Sequence, residues 1–354
     1  MGAPTVTVII PTYNRANLVR RAIGSVQAQT YAQFVIAVYD NASTDETQVV
    51  VETLAREDGR IRYQRHDSNI GAEGNFRYGL HHIDTPLFCF LSDDDVIFPH
   101  FLGEAVSWLE RFPEARFAAG GTLEATETGE LLFAPQAYWH RDGCFTPPQG
   151  LDLMLSGFHP SWTTIVFRRR VLDEVGEFAT GLANVGDCEY TFRIACRYPY
   201  VVFRKPSGIF VRHGSSSSES ADVSVIEQYE SVLEALVSAH DVAPQTKRIV
   251  RKRIREALKK RVLQVAVKQL LRLEPRLAVD TLSAYHRRYP RTIATALVAG
   301  AARSGSRWRP MLKLLQPLDA VRRSARTAMS RLAARANGIE TPDVRTYAGY
   351  FKAR

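Results

Sequence analysis

Through the first third of the chain, short apolar runs alternate with amphipathic stretches. Residues 6–10, Val-Thr-Val-Ile-Ile, stop at Pro11 and have the pattern of a buried strand. Residues 17–29 carry Leu18, Ala22, Ile23 and Val26 on one helical face. The alternation continues with strands over 34–39, 61–64, 86–91 and 115–119, and helices over 44–56, 74–82 and 100–111. This order predicts an α/β fold, a mainly parallel sheet with flanking helices on both faces. Such sheets take ligands at the carboxyl ends of their strands. Three polar segments fall at such ends: Thr12-Tyr13-Asn14, Asp40-Asn41 and Asp93-Asp94-Asp95.

The pattern weakens between 122 and 159, where Gly, Pro and aromatic residues mix, and irregular structure beside the sheet is expected there. A strand over 162–167, a short helix over 170–175, a helix over 187–198 and strands over 200–203 and 209–212 follow. Beyond residue 223 the chain reads as helical. Ile226, Tyr229, Leu233 and Leu236 form one stripe, and Val250, Ile254, Leu258 and Val262 form another flanked by Lys and Arg. No internal repeat is visible.

Composition changes this picture little, but charge changes it. The net charge of +9 conceals a split, because residues 243–354 hold 27 Lys and Arg against 6 Asp and Glu. The rest holds 19 basic and 31 acidic residues, so a mildly acidic body carries a strongly basic tail. No run approaches the roughly 20 apolar residues of a membrane span. Residues 1–8 lack the basic region and apolar core of a signal peptide, so a cytoplasmic location is expected. The four cysteines form no C-x-x-C pair and read as reduced, structural thiols.

Three adjacent carboxylates at 93–95 repel one another, which is costly at a strand end without a cation. Hard oxygen ligands of this kind suit Mg²⁺ or Mn²⁺, an ion that usually also binds substrate phosphates. A solvated acidic turn is the equal alternative. Asp40 and Asn41 suit the hydrogen-bonding edge of a base or ribose, while Thr44 and Asp45 read as helix capping. Tyr13 suits stacking on a nucleobase, or packing beside a turn. The absence of G-x-G-x-x-G after the first strand argues against a dinucleotide oxidoreductase. Asp187 and Glu189 open a predicted helix, where a carboxylate serves as a general base or simply complements the helix dipole. His213 is a lone histidine that suits a metal or a loop.

As an ordered set, these segments resemble the family 2 glycosyltransferases of the GT-A fold. The matching residues are Val6-Thr-Val-Ile-Ile-Pro-Thr-Tyr-Asn-Arg15, Ser25-Val-Gln-Ala-Gln-Thr-Tyr31, Asp40-Asn-Ala-Ser-Thr-Asp45, Asn69-Ile-Gly71 through Asn75, and Ser92-Asp-Asp-Asp95. The resemblance covers roughly residues 5–215 and implies an inverting transfer from a nucleoside-diphosphate-sugar to an acceptor hydroxyl. It implies donor binding by Pro11, Tyr13, Asp40, Asn41, Asn69, Gly71 and Asp93. It implies a Mg²⁺ or Mn²⁺ ion on Asp94 and Asp95 with His213, and Asp187 as catalytic base. His159, Trp162 and Glu189 fall on the acceptor side. The chain then divides into a GT-A domain over 1–222, with a nucleotide-binding half to about 121, and a basic helical C-terminal region over 223–354.

Three positions depart from the family pattern: Asn41, Ser92 and Gly186 stand where many members carry acidic residues. The Gln-x-x-Arg-Trp motif of processive synthases is absent, since Gln269-Leu-Leu-Arg272 is followed by Leu273, which points to single additions. The implied partners are a nucleotide-sugar and a glycan or lipid-linked acceptor of cell-surface glycan synthesis. Lys247, Arg261 and the cations between them interleave with Val250, Ile254 and Leu258 as in an interfacial helix, and Trp308 lies in a second apolar cluster. An anionic membrane surface is therefore the preferred partner of 243–354, on the inner face of the cell membrane, ahead of a solvated face and well ahead of nucleic acid. The alternatives for the whole are a sugar nucleotidyltransferase, which should show an early Gly-rich loop that residues 10–16 lack, and an inactive glycan-assembly scaffold.

Overall fold

The computed structural model describes residues 5–133, 139, 141–156, 159–179, 181, 186–212, 224–271 and 274–303. His213 and the cluster around Trp308 lie outside the described residues. The strands are β1 (Val6–Thr12), β2 (Phe34–Asp40), β3 (Ile61–Arg65), β4 (Leu87–Phe90), β5 (Val96–Ile97), β6 (Phe117–Thr126), β7 (Leu131–Phe133), β8 (Gly143–Phe145), β9 (Ile165–Arg168) and β10 (Tyr200–Arg212). The helices are α1 (Ala16–Gln27), α2 (Thr47–Glu57), α3 (Gly71–His81), α4 (Phe101–Arg111), α5 (Gln149–Leu155), α6 (Val171–Val175), α7 (Gly186–Ala195), α8 (Ser224–Ser238), α9 (Pro244–Leu271), α10 (Pro275–His286) and α11 (Ile293–Arg303).

One sheet runs in the order β3-β2-β1-β4-β9-β6-β10-β5, with β7 on β6 and β8 on β10. The β3-β2-β1-β4 half is parallel, as is the β6–β10 pair, while β9 runs antiparallel between β4 and β6. The sheet is therefore mixed: β9 runs against both its neighbours, and β5, β7 and β8 also pair antiparallel at its margins. The apolar runs are continuous because both sheet faces are covered. Val8, Ile10, Cys89 and Leu91 enter the core under α1 and α4, while the alternating Ile9, Phe88 and Phe90 enter the opposite core.

Two expectations shift for physical reasons. Residues 200–212 form one strand rather than two, because register shifts around Pro206 and Gly208 absorb the residue that cannot donate. Residues 162–164 form a 3₁₀ turn that feeds β9 instead of starting it.

The C-terminal helices correct the interfacial reading of α9. Val250, Ile254 and Leu258 are at most 2% exposed. Val250 and Ile254 join the core that holds Leu151, Met154 and Ile194, and Leu258 joins a helical core with Leu282 and Tyr285. The apolar stripe of α9 faces protein, and its exposed charged residues are Arg248, Arg251, Lys252, Arg255, Glu256 and Lys260. No described helix is long and apolar enough to cross a membrane.

Candidate active site

The carboxyl ends of β1, β2 and β4 meet at one rim. Thr12 sits opposite Asp40 in the β1–β2 register, and its Oγ1 donates to Asp93 Oδ2 at 2.8 Å. Thr12 thus ties the first polar segment to the third and lies beside the second, although the three are far apart in sequence. The turns after β1 and β2 also lock together. The Asn14 amide donates to Ser43 Oγ at 2.8 Å, and Asn14 Oδ1 accepts the Thr44 amide at 2.7 Å. Asn14 and Ala42 both take positive φ, 52° and 62°. Asn tolerates this left-handed region; Ala does so at a cost.

Asp40 is fully buried, with Oδ1 accepting the Ser43 amide at 2.9 Å and Oδ2 the Tyr63 hydroxyl at 2.7 Å. Asn41 is buried too; its Nδ2 donates to Asn69 Oδ1 at 2.9 Å and its Oδ1 accepts the Ile70 amide at 2.8 Å. Asn69 Oδ1 also accepts the Gly71 amide at 2.8 Å, and Gly71 enters α3 with φ 80°, a conformation suited to glycine. Asn41, Asn69 and Gly71 therefore form one hydrogen-bonded frame beside Asp40, which is held separately by Ser43 and Tyr63. Pro11 lies within β1, and Tyr13 stands exposed at the rim.

Two of the three aspartates face Arg15 and the third turns away. Asp93 accepts from Thr12 and, at 2.8 Å, from Arg15 Nη1. The same nitrogen donates to Asp94 Oδ2 at 2.9 Å. Arg21 Nη2 donates to the Asp94 carbonyl at 2.5 Å. Burial raises the Asp93 pKa, against the pull of Arg15. Asp95 turns inward: it is 1% exposed and accepts from Thr163 Oγ1 at 2.6 Å and the Val211 amide at 2.9 Å. Burial, with the charge of Asp94 beside it, pushes Asp95 up to about 8.

Asp95 leads to the other side of the site. Thr163 follows Trp162, whose Nε1 donates to the Asp187 carbonyl at 3.1 Å. Asp187 lies in the first turn of α7, where the helix dipole favours an anion, and its Oδ1 accepts the Cys188 amide at 2.7 Å. Asp187 is exposed and lines an open cavity of about 210 Å³ with Gly120, Thr122, Trp139, His159 and Phe210. His159 Nε2 is hydrogen-bonded to Thr191 Oγ1 at 2.6 Å, and burial lowers its pKa. Glu189 is drawn elsewhere: it is buried, and Arg193 grips its carboxylate with two nitrogens at 2.8 and 3.0 Å.

Among the described residues, no three His, Cys, Asp or Glu side chains gather as a metal-ligand set. Asp93 and Asp94 do converge on a single cationic nitrogen. Mg²⁺-type ions are commonly held by one or two carboxylates together with substrate phosphates, so this pair suits an ion that arrives with a diphosphate. The sequence alone does not reveal the bridging Arg15, the Thr163–Asp95 and Trp162–Asp187 bonds or the Asn14 latch. Arg15 ends the opening motif, but its partners lie 78 and 79 residues away.

A mixed α/β sheet with an acidic rim at its strand ends, a framed turn after β2 and a carboxylate-lined cavity beside it have the architecture of the GT-A fold. Residues 7–176 match the profile of Glycosyl transferase family 2. The chain is 39% identical over 93 residues to the GalNAc(5)-diNAcBac-PP-undecaprenol beta-1,3-glucosyltransferase of Campylobacter jejuni, spanning 26% of this chain and 30% of that protein. It is 36% identical over 108 residues to an uncharacterized glycosyltransferase of Rickettsia felis, covering 30% of this chain and 18% of that one. The aligned stretches thus span less than a third of these relatives' length. The fold is similar to S. aureus TarS 1-349 in complex with UDP, with a TM-score of 0.63 at 17% identity over 94% of this chain and 92% of that chain. It is also similar to the mannosyltransferase PcManGT from Pyrobaculum calidifontis in complex with GDP-Man and Mn²⁺, with a TM-score of 0.54 at 20% identity over 96% and 89%.

Proposed function

We propose that this transferase moves a sugar from a nucleoside-diphosphate-sugar to a glycan or lipid-linked acceptor hydroxyl, with inversion and with a divalent cation. The observation that carries the reading is the continuous link from Asp40 through Thr12 to Asp93 and Asp94, then through Asp95, Thr163 and Trp162 to Asp187. A donor spread along that rim would set its nucleoside over Asp40 and the Asn41–Asn69 frame beside Tyr13. Its diphosphate would lie at Asp93, Asp94 and Arg15, with its anomeric carbon towards Asp187. The bound ion would neutralise charge growing on the leaving phosphates.

Asp187 would accept the acceptor's proton as its oxygen attacks, and holding both partners in line supplies much of the remaining rate. Trp162 and Thr191 hold the Asp187 backbone and so fix the start of α7. The cavity is smaller than the ~300–1,000 Å³ of whole-ligand sites, so it suits the reacting end of an acceptor. The Campylobacter relative's undecaprenol-linked substrate supports a lipid-linked acceptor here. Contact with an anionic membrane surface belongs to the same reading, carried by the exposed charges of α9 rather than by its apolar stripe.

Asp187→Asn should retain metal-dependent UDP or GDP binding and lose about 10²-fold or more in sugar transfer. Turnover near that of the unaltered protein would remove Asp187 as base. A sugar nucleotidyltransferase would instead release pyrophosphate from a nucleoside triphosphate.

A further inference from the structure

We propose that Arg15 is a built-in counter-cation that holds the Asp93–Asp94 pair until a divalent ion arrives, then passes to the donor's diphosphate, so that metal binding depends on the nucleotide. This rests on the metal reading above. One nitrogen, Nη1, bridges both carboxylates at 2.8 and 2.9 Å, the place a shared cation takes between adjacent acidic groups. Without it, two neighbouring and poorly solvated carboxylates would repel each other.

The accessibilities set which partner moves. The Arg15 side chain is 36% exposed, against 7% for Asp93 and 15% for Asp94. Asp93 is also fixed from below by Thr12, and the Asp94 backbone by Arg21. The guanidinium can therefore swing outward while the carboxylates stay. A divalent ion and a guanidinium repel one another and cannot share the bridging position. An Arg15 displaced by the ion remains tethered just before α1, within a side chain's length of any phosphate bound to that ion. Guanidinium is well suited to such a partner, because it donates two parallel hydrogen bonds to phosphate oxygens. A metal alone must then break two ion pairs without compensation, whereas a metal with a diphosphate gives Arg15 a new anion.

The test is to titrate Mn²⁺ into the full-length chain, first alone and then with UDP or GDP, following free Mn²⁺ by electron paramagnetic resonance. Arg15→Gln should bind Mn²⁺ alone about tenfold tighter than the unaltered protein, because the competing charge is gone. It should also bind the nucleotide with Mn²⁺ severalfold more weakly. Arg15→Lys, which keeps the charge, should stay close to the unaltered protein in Mn²⁺ alone and keeps the comparison valid if the Gln variant does not fold. An Arg15→Gln affinity for Mn²⁺ that is equal to or weaker than the unaltered value overturns the proposal, as does a lysine variant that binds Mn²⁺ as tightly as expected for the Gln variant. Asp94→Asn separates the two readings. Loss of Mn²⁺ binding there with no effect at Arg15 sinks only the counter-cation. Mn²⁺ binding that ignores Asp94 sinks the metal site and this inference together.

Discussion

Asp95 offers the sharpest separation of a structural tie from a metal ligand. Its carboxylate is 1% exposed and accepts from Thr163 Oγ1 at 2.6 Å and the Val211 amide at 2.9 Å. Asp95→Ala leaves two buried donors without their acceptor, each worth about 1–3 kcal/mol, so a loss of about 3 kcal/mol is expected. At about 2–4 °C per kcal/mol for a domain of 150–250 residues, Tm should fall by about 6 °C or more. Asp95→Asn keeps an oxygen for the Val211 amide and should fall by less than half as much. Thermal unfolding of both variants gives these numbers, and Mn²⁺-dependent UDP or GDP binding is measured on the same samples. The tie predicts that Asp95→Asn binds nucleotide and metal within about twofold of the unaltered protein, whereas a single lost ligand contact to the ion costs far more. An alanine variant with an unchanged Tm, or an asparagine variant with full stability and no metal-dependent binding, would refute the reasoning and return Asp95 to the metal.

Ala42 holds φ 62°, so Ala42→Gly should stabilise the chain by about 0.5–1 kcal/mol, read as a higher urea midpoint at an unchanged slope; a lower midpoint would count against strain at this turn. Asp58 accepts from Gln27 and from the Arg60 backbone and side chain, and its carboxyl is held down to about 2 from the ordinary 3.8. Its contribution of about 2 kcal/mol is therefore present above about pH 4 and lost as pH falls towards 2. The stability gap between the unaltered protein and Asp58→Asn should narrow over that window, and a gap that stays constant would contradict the assignment. Sedimentation with phosphatidylserine vesicles should fall when Arg251, Lys252, Arg255 and Lys260 are changed together to Gln, because they are exposed cations of α9; binding indifferent to that change or to lipid charge would remove α9 from the interface.

The fold was legible wherever one period ruled a stretch. The runs at 6–10, 34–39 and 86–91 could be read as strands because both sheet faces are apolar, and α1 and α4 because their stripes repeat at helical spacing. The segment from 122 to 159 was not legible, since β7, β8 and α5 are short and their residues answer to distant partners. Tyr200, for example, donates to the Gly150 carbonyl at 2.6 Å across 50 residues of chain. The reversal of β9 is likewise invisible in its own four residues, because direction is set by the neighbours it joins. In the site, the sequence marked the rim but not the roles within it. Three consecutive aspartates look alike on paper, yet one turns inward to β10 and two outward to Arg15. Adjacent side chains on a loop have no period from which direction could be read.

The C-terminal region carries the same lesson in its most general form. An amphipathic helix reports that one face is apolar, never what covers it, and α9 would read the same on a bilayer as on α5 and α10. Its hydrophobic stripe is closed off by Leu151, Ile194 and Tyr285 among others. Any affinity of α9 for membranes must therefore be electrostatic, and so must weaken with added salt over the Debye range, falling sharply between about 0.1 and 1 M. An interfacial helix with a free apolar face would hold its lipid through that range. Vesicle binding by α9 that persists at about 1 M salt would mean that the stripe leaves the protein core on contact with lipid, and the packing described for Val250, Ile254 and Leu258 would then be one of two states.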